Sequence, residues 1–271
     1  MTPSEESNAS PKQAPRLLTE ERRRAILELV NRDGRAMISD LSKQFGVSAV
    51  TARGDVDSLC ERNLLMRSHG GAIPVDRVVV DSPLEVKATR HHDEKVRIGK
   101  FAATLVKPGQ TVMLDSGTTT LEIARALMRN SPRGITIVTD SLAIASELSA
   151  ASEINVIVVG GLLRHISQSL VGPQAQKMLA ELHVDRLFLG VDGLEPDIGP
   201  FTPDILEAQL NATMIEVAKE TTVVTDSSKI GRRSLTQISP IKNIDQLVTD
   251  STIRPEDRKT LEENGVEVFI A

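Results

Sequence analysis

Four short loops between residues 115 and 229 each carry hydroxyl, carboxylate or ammonium groups directly after an apolar run. They read DSGTTT at 115–120, TDS at 139–141, GVDG at 190–193 and DSSK at 226–229. In an open parallel sheet the loops that follow the strands meet at one edge, which is where ligands bind. Small polar groups, carboxylates and one lysine at such an edge suit a phosphorylated sugar or polyol.

The loop at 115–120 has the composition of a phosphate site. It precedes a helical pattern, so its backbone N–H groups, its hydroxyls and the helix dipole could all favour an anion. It has neither the Gly-Lys-Ser/Thr of a Walker A loop nor a dinucleotide fingerprint. By composition alone, an ordinary capped turn explains this loop equally well.

A second set of polar residues lies near the start of a predicted helix in the front part of the chain. Two short amphipathic helices flank Gly46, which suits a tight turn with positive φ and so predicts a helix-turn-helix. The N-terminal half of the second helix reads base edges in the major groove in this motif. We expect Ser48 and Thr51 to contact phosphates or bases, and Arg53 to contact a guanine or a phosphate.

Two predicted strands follow, at 64–67 and 72–75, with a hairpin tip at 68–71. This hairpin is typical of the wing of a winged helix, from which Arg67 and His69 could reach a phosphate or the minor groove. From spacing alone, a three-helix packing unit with surface arginines remains the alternative.

The elements that must position the four loops follow an alternating pattern. Short apolar runs predict buried strands, and helix-length amphipathic segments separate most of them, which predicts an α/β fold with a mostly parallel, Rossmann-like sheet. The predicted strands are 111–114, 135–138, 155–159, 186–190, 222–225, 246–248 and 266–270.

Composition excludes several function classes. The 271 residues include five Phe and no Trp or Tyr, which argues against base stacking on single-stranded nucleic acid. Cys60 is the single cysteine, so a disulfide framework and a multi-cysteine zinc site are excluded. No apolar run approaches 18 residues and the N-terminus is not a secretory signal, so we expect no membrane partner and a cytoplasmic location.

The distribution of charged residues along the chain suggests the domain organisation. The net charge is −5, yet residues 16–72 hold ten Lys/Arg against eight Asp/Glu, while 73–271 hold 21 against 27. A mildly basic front joined to an acidic body hints that the front meets an anionic polymer. We expect a disordered tail at 1–15, a winged helix-turn-helix at 16–75, a linker at 76–92 and a sensing domain at 93–271.

The adjacent His91 and His92 do not have metal-ligand spacing, and we expect neither a metal nor a cofactor.

The front part resembles the N-terminal domain of DeoR-type bacterial transcriptional regulators. Phe-Gly-Val-Ser at 45–48 and Arg-Ser-His-Gly-Gly-Ala at 67–72 match the family pattern fully, and Thr51, Arg53 and Asp55 match within the recognition helix. The resemblance implies a reader of double-stranded DNA operators.

Two positions of the recognition helix depart from the family pattern. Ala52 replaces the usual Ile, and Gly54 replaces the usual second Arg. Gly54 removes a charge that would contact DNA, and glycine weakens a helix interior. Either a different operator sequence or a lower non-specific affinity would follow.

The body is similar to the effector-binding domain of the same family, which is related to ribose-5-phosphate isomerase and other sugar-phosphate-binding folds. The matching pieces are the four loops, Gly160-Gly161, 169–172, Glu207 and Met214-Ile215, with Asp140 in place of the usual Asn. The resemblance implies an effector site made of Asp115, Ser116, Gly117, Thr118, Thr119, Thr120, Asp140, Ser141, Asp192, Gly193, Glu207 and Lys229.

Three hypotheses follow. The first is a transcriptional regulator, a repressor of sugar-metabolism genes that binds DNA as a homo-oligomer (dimer or tetramer) and senses a phosphorylated sugar. The second is a sugar-phosphate isomerase with an accessory DNA-binding-like domain, since Asp192, Glu207 and Lys229 fall at positions similar to the catalytic groups of isomerase relatives. The third is a DNA-binding protein with a vestigial body. An isomerase needs no helix-turn-helix and wing, and a vestigial body needs no set of strand-end loops, so the first is favoured.

Overall fold

A computed structural model describes residues 18–33, 36–62, 64–68, 70–74, 81–130 and 132–271. The tail expected at 1–15 and the predicted contact residue His69 lie outside these ranges. The chain divides into two units, Met1–Arg77 and Val78–Ala271.

The first unit is a three-helix cluster with a small antiparallel sheet of order β1-β3-β2. Its interior is apolar, with Ile26, Leu41, Val56 and Leu59 buried where the three helices meet. The elements are α1 (Thr19–Asp33), β1 (Ala36–Met37), α2 (Ile38–Phe45), α3 (Ala49–Glu61), β2 (Leu65–Ser68) and β3 (Gly71–Pro74).

The turn between α2 and α3 has the predicted geometry. Gly46 has φ of 61° and ψ of 35°, and its N–H donates to the last carbonyls of α2. Ser48 caps α3 by accepting a hydrogen bond from the N–H of Thr51. The wing strands lie one residue from the predicted positions, since Ser68 pairs with Gly71. β1 was not predicted.

The second unit is built on a seven-stranded parallel sheet of order β15-β14-β12-β9-β4-β5-β6. All seven predicted strands form it, and no strand end differs from its predicted position by more than one residue. Its strands are β4 (Thr111–Leu114), β5 (Thr136–Thr139), β6 (Asn155–Val158), β9 (Arg186–Gly190), β12 (Thr221–Val224), β14 (Gln246–Thr249) and β15 (Glu267–Ile270).

Helices cover both faces of this sheet, as expected for parallel strands. On β4, Val112 and Leu114 pack into the core beneath one set of helices, whereas Met113 packs into the core on the other face. The helices are α4 (Leu84–Thr89), α5 (His92–Thr104), α6 (Thr118–Arg129), α7 (Leu142–Leu148), α8 (Pro173–Ala180), α9 (Ile205–Val217) and α10 (Pro255–Glu263). None of the described helices is long and apolar enough to cross a membrane.

Two small antiparallel sheets lie outside the main sheet. One pairs β7 (Leu162–Arg164) with β8 (Ser169–Val171), and the other has the order β10-β11-β13. The strands of the second are β10 (Gly193–Glu195), β11 (Gly199–Thr202) and β13 (Thr236–Gln237). The sequence predicted neither small sheet, nor α4, α8 and α10.

The segment 76–92, expected to be a linker, contains regular structure. α4 occupies residues 84–89 and α5 begins at His92. The N–H of Leu84 donates to the carbonyl of Ile166 at 2.9 Å, so α4 is attached to the second unit. A short helix with one buried apolar residue gives too weak a periodicity to be seen in the sequence.

Candidate functional site

The N-terminal half of α3 is the candidate DNA-reading surface. Ser48, Thr51 and Arg53 are exposed there, and Arg53 makes no ion pair within the described part of the chain. The hydroxyls of Ser48 and Thr51 lie 2.9 Å apart, and the Ser48 oxygen accepts the N–H of Thr51 at 3.1 Å. The cap starts the helix and leaves both hydroxyls at the surface.

Asp55 does not belong to this surface, although it matches the motif of the recognition helix. It is 3% exposed and accepts hydrogen bonds from Arg22 Nε at 2.6 Å and Arg23 Nε at 3.0 Å. The carboxylate therefore attaches α3 to α1 and orients the helix that presents Arg53.

The other predicted contacts have different surroundings. Arg67 on β2 is partly exposed and forms an ion pair with Asp57 of α3. A Cβ added to Gly54 would meet no atom within 4 Å, so a side chain fits at this exposed position. The missing charge at Gly54 is therefore not a requirement of packing.

The second candidate site lies where the strand order of the large sheet reverses. Chain order runs outward from β4 through β5 to β6, and on the other side from β9 through β12 and β14 to β15. Ligands bind in the crevice at the carboxyl ends of strands at such a switch point. Here the loops at 115–120 and 190–193 follow the two neighbouring strands β4 and β9.

An open cleft lies at this switch point. Eight of the twelve predicted effector residues line it: Asp115, Ser116, Gly117, Thr118, Thr119, Asp192, Glu207 and Lys229. The two loops approach each other closely, because a Cβ on Gly190 would lie 3.3 Å from both Asp115 carboxylate oxygens and 3.4 Å from the Gly117 Cα.

The N-terminus of α6 forms one wall of the cleft. Gly117 is its N-cap and supplies no capping side chain. The first N–H groups of any helix have no partner within the helix, and Thr118 and Thr119 of this first turn line the cleft. Thr120 holds the loop closed, since its hydroxyl lies 2.8 Å from the carbonyls of Asp115 and Gly117. This geometry suits an anion.

Two lysines flank Asp192 across the cleft. Nζ of Lys87 lies 2.9 Å from Oδ1 of Asp192 and 3.1 Å from Oδ1 of Asp81, and Nζ of Lys229 lies 3.9 Å from Asp192. Burial alone would raise the pKa of Asp192, but the charges of Lys229 and Lys87 outweigh it and lower that pKa. Burial alone would lower the pKa of Lys87, but Asp192 and Asp81 raise it. Lys87 and Asp192 are therefore both charged at neutral pH.

Glu207 is held by a network on the far side of the cleft. Its Oε1 lies 3.4 Å from Arg164 Nη1 and accepts from the Ser169 hydroxyl at 3.2 Å, while Oε2 accepts from Thr202 at 3.3 Å. Arg164 also pairs with Asp81 and with Asp204, the N-cap of α9. This network fixes the position of the Glu207 carboxylate in the cleft lining.

Asp115 and Asp140 are buried carboxyls beside the cleft. Burial raises the pKa of Asp115 to about 7, against the opposing effect of hydrogen bonds from Gly190, Thr120 and Gly117. Burial and the negative charges of Asp115 and Glu207 raise the pKa of Asp140 well above its ordinary value. Oδ1 of Asp140 has no hydrogen-bond partner within the described part of the chain.

Four predicted effector residues lie outside the cleft lining. Thr120 and Ser141 have local structural contacts, the latter as the N-cap of α7. Asp140 is buried behind the loop, at 2% exposure. Gly193 is a packing glycine, because a Cβ there would lie 2.6 Å from the carbonyl of Arg232.

Several residues that sequence reasoning did not name line the cleft. They are Leu84, Lys87, Ser167, Thr202 and Asn211. Asn211 lies four residues after Glu207 on α9, and the helical i,i+4 rule could have identified it. Lys87 had no such signal, because it does not follow a strand.

Family comparison decides between the hypotheses. Residues 90–251 match the DeoR C terminal sensor domain, and residues 22–78 match the DeoR-like helix-turn-helix domain. The chain belongs to the DeoR family.

DeoR-family relatives match over almost the whole chain. The HTH-type transcriptional regulator GlpR of Haloferax volcanii is 38% identical over 253 residues, covering 93% of this chain and 98% of the relative. The glycerol-3-phosphate regulon repressor of Escherichia coli K12 is 30% identical over 231 residues, covering 85% and 90%. This DeoR-family protein is therefore a DNA-binding transcriptional regulator and not an isomerase with an accessory domain.

Among solved structures, ribose 5-phosphate isomerase A of Methanocaldococcus jannaschii aligns at a TM-score of 0.39 and 22% identity. The alignment covers 51% of this chain and 54% of that chain. A likeness at this distance bears on neither activity nor ligand.

Proposed function

We propose that this DeoR-family protein is a repressor of sugar-metabolism genes whose second unit binds a phosphorylated sugar or polyol. The observation that carries the proposal is the meeting of the α6 N-terminus with Lys87, Lys229, Asp192 and Glu207 in one cleft. Helix N–H groups and ammonium groups bind a phosphate, and carboxylates accept hydrogen bonds from hydroxyls.

The polarity of the cleft supports this ligand class. Most of its lining residues are polar, which favours a sugar phosphate over an apolar ligand. One relative is named for the glycerol-3-phosphate regulon. Glycerol 3-phosphate is a small phosphorylated polyol and so belongs to the proposed ligand class.

On the DNA side, we assign base and phosphate contacts to Ser48, Thr51 and Arg53, with Arg67 and His69 of the wing as further contacts. A unit with ten Lys/Arg against eight Asp/Glu carries little charge for a single binding event. Several linked DNA-binding units on one DNA molecule bind more tightly than a single unit, and symmetric helix-turn-helix proteins bind repeated half-sites. We therefore propose a homo-oligomer, a dimer or a tetramer.

Ligand binding to the full chain tests the effector class. Glycerol 3-phosphate, ribose 5-phosphate, fructose 1-phosphate and glucose 6-phosphate are each compared with the unphosphorylated counterpart by thermal melting and calorimetry. We expect at least one phosphorylated compound to raise the melting temperature, and its counterpart to have no effect. Equal binding of the two forms would contradict a phosphate site.

A paired substitution locates that binding in the cleft. Lys229→Gln removes a cation from the lining, and Lys219→Gln removes one from an exposed position. A charge-assisted hydrogen bond contributes about 1.5–3 kcal/mol, so Lys229→Gln should weaken binding about tenfold or more. Lys219→Gln should leave binding unchanged. An unchanged affinity in Lys229→Gln would place the ligand elsewhere.

A further inference from the structure

α4 brings a chain segment into the effector cleft that neither family match covers. The two matched stretches end at residue 78 and begin again at residue 90. Between them, Leu84 and Lys87 of α4 line the cleft beside the strand-end loops. Their placement depends on how α4 lies on the second unit.

Contacts on more than one side hold α4 in place. At its start, the N–H of Leu84 donates to the Ile166 carbonyl at 2.9 Å. On its outer side, Glu85 accepts from Gln168 Nε2 at 2.9 Å. At its end, the buried ammonium of Lys95 donates to the carbonyl of Lys87 and, at 2.7 Å, to that of Arg90.

The remaining attachment is through the cleft itself. The Lys87 side chain is 20% exposed and reaches Asp192, at the end of β9, and Asp81, which precedes α4. An ammonium has three donors. Nζ of Lys87 donates to Asp192 and lies 3.1 Å from Oδ1 of Asp81, so an anionic ligand in the cleft competes with these two carboxylates for the Lys87 ammonium.

We propose that Lys87 binds the effector directly, and that α4 thereby couples the cleft to the DNA-binding unit. This inference rests on the proposed function of the cleft as a sugar-phosphate site. A ligand that contacts both the α6 N-terminus and Lys87 stabilises α4 in its present position. Only nine residues separate Pro74, the end of β3, from Leu84.

Coupling requires that the ligand bind two states of the protein with different affinity. A ligand confined to the strand-end loops touches only the rigid sheet edge and has no means of making that distinction. A ligand held by Lys87 makes its full set of contacts only when α4 is docked. The docked position of α4 is thus the state that the effector selects.

Ligand titration of the full chain tests the contact. Wild type, Lys87→Gln, Lys87→Arg and Lys100→Gln are titrated with the four sugar phosphates and with inorganic phosphate; Lys100 is an exposed lysine of α5. We expect Lys87→Gln to weaken every sugar phosphate that binds wild type about tenfold or more. Lys87→Arg should retain more affinity than Lys87→Gln, and Lys100→Gln should match wild type.

The outcomes separate this inference from the proposed function. If no sugar phosphate binds wild type, the proposed function fails and this inference fails with it. If wild type and Lys87→Gln bind equally well, the inference alone is overturned. Melting of each variant without ligand shows whether it is folded.

Amide hydrogen exchange on the wild-type chain tests the same inference without a substitution. A sugar phosphate that binds should slow exchange in the first turn of α6 and also at residues 84–89. Slowed exchange in α6 with no change in α4 would overturn the inference. With saturating ligand, Lys87→Gln should also show a smaller change in operator affinity than wild type, and an equal change would contradict coupling through α4.

Discussion

The carboxylate of Asp55 on α3 accepts a hydrogen bond from Nε of Arg22 on α1 at 2.6 Å. Arg23 donates to the other carboxylate oxygen at 3.0 Å, so one buried acid connects two helices. A residue of α3, the helix proposed to read DNA, therefore acts on the inner side of that helix and holds it against α1.

Removing this acid should destabilise the first unit. Asp55→Ala removes the carboxylate that the partly buried Arg22 and Arg23 share, which should cost about 2–3 kcal/mol of unfolding free energy. Asp57→Ala, on the same helix, removes an exposed pair with Arg67 and should cost less than about 1 kcal/mol. Chemical denaturation of the full chain, followed by circular dichroism, measures both. Equal losses in the two variants would contradict the inward role of Asp55.

Arg53 should carry DNA affinity that other exposed arginines do not. Arg53→Ala should weaken binding to the fragment upstream of the protein's own gene by about 1–3 kcal/mol. Arg24→Ala removes an exposed arginine of α1 with one long ion pair and is the matched control. Mobility shifts at several salt concentrations give the affinities and the salt slopes. If Arg53→Ala binds as well as wild type, the assignment of α3 as the reader is wrong.

Substitutions at Gly54 should increase helix stability or DNA affinity, whereas Arg53→Ala should reduce DNA affinity. A side chain at this position meets open space, so Gly54→Ala should stabilise the helix by about 0.5–1 kcal/mol. Gly54→Arg should also tighten DNA binding and raise the salt slope by about one, because one more phosphate is neutralised. Comparing the two variants separates helix stability from charge. A salt slope identical in both would show that position 54 does not face DNA.

The pKa of Asp115 predicts a pH dependence of stability. Folding raises this pKa from 3.8 to about 7, so in that interval the folded state binds a proton that the unfolded state has lost. Stability from this group is therefore complete below the unfolded value and is lost as pH rises towards 7, at about 1.4 kcal/mol per pH unit. Asp115→Asn keeps the acceptor oxygen without the titration. The stability of Asp115→Asn relative to wild type should increase between pH 5 and pH 7, as measured by denaturation at each pH. Parallel stability profiles of the two proteins would mean that the carboxyl is ionised throughout, which would contradict this prediction.

The large sheet could be predicted because its strands are short, mostly apolar runs, and the inner strands are buried on both faces. Val112, Met113 and Leu114 all pack into a core, so the run is recognisable without knowing its neighbours. The smaller pieces depend on contacts distant in sequence. β1 has two residues, and its pairing needs Gly71, where a Cβ would lie 2.1 Å from the carbonyl of Ala36.

The same distinction applies to the cleft. Residues in loops after strands were predictable, because the topology of a parallel sheet brings those loops together. Asp140 was expected there on the same rule, but its side chain is buried behind the lining. Lys87 could not be predicted, because its position depends on Asp81 and Asp192 meeting it from two different parts of the chain.

The most direct test measures operator affinity with and without effector. Full-length protein is titrated onto the DNA upstream of its own gene, alone and with each sugar phosphate that raises its melting temperature. We predict that one of these compounds changes the DNA affinity at least tenfold, and that its unphosphorylated counterpart does not. A compound that binds and stabilises the protein but leaves DNA affinity unchanged would contradict the role of the cleft as the sensor.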